Sequence, residues 1–212
     1  SKRSLQQQLK RPLREEAEQY LSEEKGVTSV EDAISGAKDI IAEAISDEAD
    51  YRSWIRKITM KKGKLISTAK DPEAESVYEM YYEFEEPLSK LAGHRILALN
   101  RGEKEKILTV KIEAPEEEIL GYLEKQTIHG KNISTEQALK EAVEDSYKRL
   151  IGPAIEREIR SDLTEKAEDG AIEVFGKNLH QLLMQPPITG QVVLGWDPAF
   201  RTGCKLAVVD PT

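Results

Sequence analysis

A single cysteine, Cys204, stands in a chain of 212 residues, which excludes an internal disulfide and a multi-cysteine zinc site and favours a reducing compartment, the cytoplasm. Aromatic residues make up only 6%, which tilts the expectation toward helices rather than sheet sandwiches. No apolar run approaches the roughly 18 residues of a bilayer span. The opening SKRSLQQQLK lacks the apolar centre of a signal peptide. A soluble chain without a membrane partner is expected. The P-loop, the dinucleotide-binding GxGxxG and the nucleophile elbow GxSxG are all missing. His94, His129 and His180 stand far apart, with no metal partner at helical spacing. No metal or cofactor is expected. Basic residues are outnumbered 31 to 39, a net charge of −8, which argues against indiscriminate coating of nucleic acid and leaves local patches as the candidates.

What is present is helical spacing along most of the chain. Pro12 is placed to open a helix through Leu13, Ala17, Tyr20 and Leu21 that closes near Gly26. Thr28 with Glu31 reads as a capping box for an amphipathic helix carrying Val30, Ala33, Ile34, Ala37, Ile41, Ala44 and Ile45. Asp47 is positioned to cap the next helix, where Tyr51, Trp54, Ile55 and Ile58 fall at i, i+3, i+4 and i+7 ahead of Gly63. A short extended piece, 64–68, follows. Helical spacing returns at Ala74, Val77, Tyr78 and Tyr81, and Pro87 is placed to start a helix through Leu88, Leu91, Ala92 and Leu99 that ends at Gly102.

Over 106–113 the period changes to two, with Leu108, Val110 and Ile112 alternating against Thr109 and Lys111, the mark of a strand. Pro115 and the acids Glu116, Glu117 and Glu118 suit a helix start, where carboxylates meet the positive end of the dipole, with Ile119, Tyr122 and Leu123 facing inward. Ser134 with Gln137 forms a second capping box. Leu139, Val143, Tyr147, Leu150, Ala154, Ile155, Ile159 and Leu163 then continue one apolar face over roughly thirty residues, the length of a spine. Pro153 inside it predicts a kink or break near Gly152. A separate last helix carries Ile172, Phe175, Leu179, Leu182 and Leu183 before Pro186 and Pro187, and 191–196 with 205–209 read as a β-hairpin around PAFRTG. The predicted class is mainly α: a multi-helix scaffold with a long spine helix, one short internal β segment and a C-terminal hairpin. Two strands alone are marginal, so the hairpin is expected to belong to a larger sheet.

Three segments carry a family resemblance. FGKNLHQLLMQPPITGQVVLGWDPAFRTGCKLAVVD at 175–210, GHRILALNRGE at 93–103 and AKDIIAEAISD at 37–47 resemble, in the same order, segments of the Tex family of bacterial transcription accessory proteins. The resemblance covers most of the chain from Pro12 onward, and residues 1–11 fall outside it. It implies an internal fragment of a longer cytoplasmic protein, linked to transcription and to RNA or DNA binding. Residues 1–188 would form a central helical region, and 189–212 the first strands of an incomplete RNase H-like, resolvase-related domain. It also implies contact with the transcription machinery.

Asp197 matches the position at which resolvase-like members of that fold hold a divalent metal. A two-metal site needs several converging carboxylates, and the resemblance places the others beyond Thr212. An Asp-Pro step at a strand end also starts a turn, which is the favoured reading. Ala199 replaces the glycine expected in this motif and would be strained at a positive φ. Arg201 and Lys205 flank the hairpin as phosphate candidates or solvated loop charges. His94, Arg95, Arg101 and Glu103 gather in GHRILALNRGE, and tying the helix end to the next strand is favoured over phosphate binding. From 51 to 64 the chain carries Arg52, Arg56, Lys57, Lys61, Lys62 and Lys64 and no acid. Such a face beside Trp54 could bind a nucleic-acid backbone, although Trp54 shares the apolar series of Ile55 and Ile58. Two functions follow: a non-catalytic scaffold associated with nucleic-acid binding, whose own binding is weak, or part of a metal-dependent nuclease.

Overall fold

The computed structural model describes residues 13–22, 27–129, 133–186, 188–199 and 201–211, the side chains of Ile133 and Ser134 excepted. The fold is mainly α, with two small antiparallel sheets, and it divides into two units, Ser1–Asp169 and Gly170–Thr212.

Helix α1, Leu13–Ala17, continues as a 3₁₀ turn, Glu18–Tyr20, and stops there. It does not run on toward residue 26, because Leu21 is extended and Ser22 and Val27 exchange backbone hydrogen bonds of 2.9 and 3.0 Å. Pro12 and Gly26 lie outside the described residues. Helix α2, Val30–Ser46, has its capping box at Ser29 and Asp32, one residue later than expected from Thr28 and Glu31. Thr28 donates a further bond to the Asp32 carboxylate at 3.0 Å. The Ser29 hydroxyl and then Thr28 hold the pKa of Asp32 below the ordinary carboxylate range. Asp47 closes α2 instead of opening the next helix; Glu48 precedes α3, Ala49–Lys62, without a side-chain cap.

Strands β1 (Lys64–Ala69), β2 (Glu83–Pro87) and β3 (Leu108–Glu113) form an antiparallel sheet in the order β2-β1-β3. The helix expected over 74–81 is absent. Tyr78 and Tyr81 are buried anchors of a connection that contains only a 3₁₀ turn, Glu79–Tyr81, and β2 adds a strand where none was expected. Pro87 ends β2 and starts only a 3₁₀ turn, Leu88–Lys90; the helix proper, α4, spans Gly93–Lys104 and contains Gly102. A Cβ at Gly102 would lie 2.6 Å from Leu108 Cδ1, so the glycine serves close packing. The helix closes with Lys106 at φ 62°, Ile107 N–H donating to Gly102 O and Lys106 N–H to Glu103 O, a Schellman ending without its usual glycine.

The sheet's two outer edges differ. Bonds from Ala69 N–H to Tyr82 O and from Leu88 N–H to Gly63 O set the even-numbered residues of β2 toward β1, so Glu83, Glu85 and Pro87 turn their backbone groups outward. On β3 the outward residues are Leu108, Val110 and Ile112. That edge is covered, for Ile112 N–H donates to Glu156 at 2.9 Å and Arg160 donates to Val110 O at 3.3 Å.

Helix α5, Glu116–Thr127, buries Ile119 and Leu123. The spine then runs through α6 (Ile133–Asp145), a wide π turn (Ser146–Ile151) and α7 (Gly152–Leu183). The expected capping box of Ser134 with Gln137 falls on a side chain outside the described residues, while Gln137 donates to Glu141 at 3.1 Å. Leu139, Val143, Tyr147, Ile151, Ile155, Ile159, Leu163 and Ala167 are all buried and all four apart. Fourfold spacing drifts about 40° per step around a 3.6-residue helix, and the π turn, with Gly152 N–H bonded to Tyr147 O, offsets part of that drift. Ile151, not Leu150, therefore enters the core. The turn accommodates Pro153 within a continuous helical run, and no break separates a last helix.

The second unit comprises the end of α7 and the hairpin of β4 (Val193–Asp197) with β5 (Lys205–Val209).

Candidate nucleic-acid interface

Helix α3 and, at Lys64, the start of β1 present the basic run, but its cations are largely engaged. Arg52 pairs with Glu158 at 2.6 Å and Arg56 pairs with Asp162, both acids on α7. Lys62 reaches Glu118 of α5 at 2.6 Å, and Lys64 reaches Glu85 of β2 at 2.5 Å. The bond to Glu85 raises the pKa of Lys64. Only Lys57 and Lys61 of this run lack a carboxylate partner among the described residues. The four pairs are half-exposed, and such pairs contribute about 0–1 kcal/mol each; they orient α3 more than they stabilise it. Trp54 stacks on Tyr122 at 3.8 Å and 11°, while Tyr51 meets the same ring edge-on at 6.1 Å. One face of the indole is thus occupied by α5, which leaves less of it for a nucleobase.

The partners of this run were missed in the sequence although a signal existed. Arg52 and Arg56 are four apart, as are Glu158 and Asp162, and residues four apart share a helix face, so opposite charges at matching spacing on two helices can form a ladder.

The residues of GHRILALNRGE are dispersed over the faces of α4. Arg95 binds both oxygens of Glu86 at 2.7 Å and lies 5.9 Å from the centre of the Phe84 ring, so it ties α4 to β2. Glu103 holds Arg160, which also reaches Asn100, and Asn100 donates to Thr164 at 2.8 Å. His94 and Arg101 are exposed. Gly93 packs against Ala167, with 3.3 Å left for a Cβ. These contacts form a seam between α4 and α7.

In the hairpin, Asp197 is exposed and stands opposite Lys205 in register, with Arg201 exposed in the intervening loop. The loop's positive φ falls at Gly203 (78°) and not at Ala199, so the anticipated strain at Ala199 does not arise. Among the described residues no group of three or more His, Cys, Asp or Glu is placed to hold a metal ion. No described helix is long and apolar enough to cross a membrane.

Residues 8–175 match the family model described as Tex central region-like. The chain is 59% identical over 92% of its length to Uncharacterized protein YdcI of Bacillus subtilis, covering 28% of that protein. It is 31% identical over 89% of its length to human S1 RNA-binding domain-containing protein 1, covering 20% of it. It is 28% identical over 92% of its length to Transcriptional accessory protein Tex of Neisseria gonorrhoeae, covering 27%. The chain thus spans about a quarter of the length of these relatives.

Proposed function

The chain belongs to the Tex family, and from that premise we propose that it is a non-catalytic helical scaffold within a cytoplasmic, transcription-associated protein that binds nucleic acid. The observation that carries this reading is the ladder from α3 to α7. The acids of the spine take up the arginines of the basic run, which turns a potential binding face into a joint between helices. The names of two relatives, one a transcriptional accessory protein and one an S1 RNA-binding domain-containing protein, support the association with transcription and RNA.

In this reading residues 189–212 open an RNase H-like domain. Both faces of the hairpin expose apolar side chains, Leu194, Trp196, Leu206 and Val208 on one and Val209 on the other, as expected of strands that require further strands. Asp197 serves the turn, and the chain does not cleave nucleic acid by itself. Direct binding is weak and centred on Lys57 and Lys61.

Labelled single-stranded and duplex oligonucleotides titrated at two salt concentrations test the proposal. The expected affinity is about micromolar to millimolar at physiological salt, with a log-log slope of roughly −0.7 per phosphate contact on single strands. Lys57→Glu with Lys61→Glu should abolish binding without altering sequence preference, since phosphate contacts carry none. Nanomolar binding that resists salt, or Mg²⁺-dependent cleavage lost in Asp197→Asn, would refute the scaffold reading.

A further inference from the structure

The two edges of the β2-β1-β3 sheet are treated unequally. On β3, Glu156 and Arg160 occupy Ile112 N–H and Val110 O, in the place a fourth strand would take. On β2 the outward N–H and C=O of Glu83 and Glu85 meet no protein partner among the described residues. An open strand edge is a template for pairing unless something selects its occupant.

Here charge makes that selection. From Asp71 to Pro87 the chain holds seven acids and no base. Glu85 and Glu86 are paired with Lys64 and Arg95, but Glu79 and Glu83 have no cation beside them among the described residues. A second copy is disfavoured, because two such edges would set glutamates against glutamates. Nucleic acid is repelled. In the turn that leads into β2, Met80 is 74% exposed, while buried Tyr78 and Tyr81 anchor the connection that carries it. Tyr82 Oη pins that connection further through Ala74 O and Ser76 Oγ, at 2.5 and 2.9 Å. An edge and flank held in place before binding lose little freedom on association.

We propose that the outer edge of β2 takes an extended, lysine- or arginine-rich polypeptide segment of a partner protein by strand addition. Main-chain bonds to Glu83 and Glu85 would supply the pairing, Glu79 and Glu83 the charge selection, and Met80 an apolar contact.

The test uses the whole chain, ¹⁵N-labelled, with a capped ten-residue peptide of alternating lysine and valine as the probe. Saturating peptide should protect the Glu83 and Glu85 amides from hydrogen exchange. Glu79→Lys with Glu83→Lys should weaken binding about tenfold, whereas the charge-matched Glu165→Lys with Asp169→Lys, on α7, should stay within about twofold. N-methylation of alternate peptide amides should abolish binding, because it removes the donors that strand pairing requires. Absent protection, equal binding of the N-methylated peptide, or equal loss in the two charge variants overturns the proposal. So does an oligouridine that shifts the same amides, since the edge would then belong to nucleic acid.

Discussion

One continuous helix shows two kinds of apolar face. In the first half of α7, Ile155, Ile159, Leu163 and Ala167 are all buried; farther along, Ile172, Phe175, Leu179, Leu182 and Leu183 are between 41% and 72% exposed. The side chains are of the same type and the spacing is helical in both halves. Helical periodicity therefore states which face is apolar, while burial depends on what the remainder of the fold lays against it.

The largest expected effect sharpens that contrast. Ile151→Ala, at a fully buried position, should cost about 2–5 kcal/mol, whereas Leu183→Ala should stay within about 0.5 kcal/mol. Urea unfolding followed by circular dichroism measures both, and similar costs would erase the distinction between the halves. Glu103→Ala comes next. It strips Arg160 of its carboxylate in the seam between α4 and α7 and should cost about 1–3 kcal/mol; a cost near zero would mean that solvent satisfies the guanidinium equally well.

Tyr147 gives a pH test of the buried half. Burial, with Glu116 and Glu156 adding to it, pushes its pKa up from 10.0 to about 12. Because the fold favours the neutral phenol, its contribution is complete below pH 10 and is lost as pH rises through about 12. Wild type should therefore lose stability relative to Tyr147→Phe across that window, and parallel stability curves would show that the phenol titrates as in the unfolded chain. The smallest effect lies away from the spine. Lys106→Gly, at the φ of 62° that closes α4, should stabilise by about 0.5–1 kcal/mol, read as an upward shift of the unfolding midpoint.

Features set by local chemistry were legible in the sequence. The alternation of Leu108, Val110 and Ile112 marked β3, the acid run after Pro115 marked the start of α5, and 191–196 with 205–209 marked the hairpin. Strand β2 escaped notice because glutamates, which strands disfavour, occupy three of its five positions. Tyr78 and Tyr81 mimicked a helical face while anchoring a loop. The capping box fell one residue from its expected place because Ser29 competes with Thr28 for the same role. For the candidate interface, the basic run was visible but its neutralisation was not, since Arg52 and Glu158 are 106 residues apart in sequence and local pattern carries no record of which helices become neighbours.

The π turn at 146–151 has one further consequence. It holds about one residue more than an α-helix needs to cover the same arc, so it is a place where the spine can shed a residue and revert to regular winding with both flanking halves still aimed as they are. The same deletion within α6 would swing every later side chain by about 100°, pulling Ile155, Ile159 and Leu163 out of the core and Glu158 and Asp162 away from α3. Length variation in this helix is tolerable at that turn and ruinous a few residues before it.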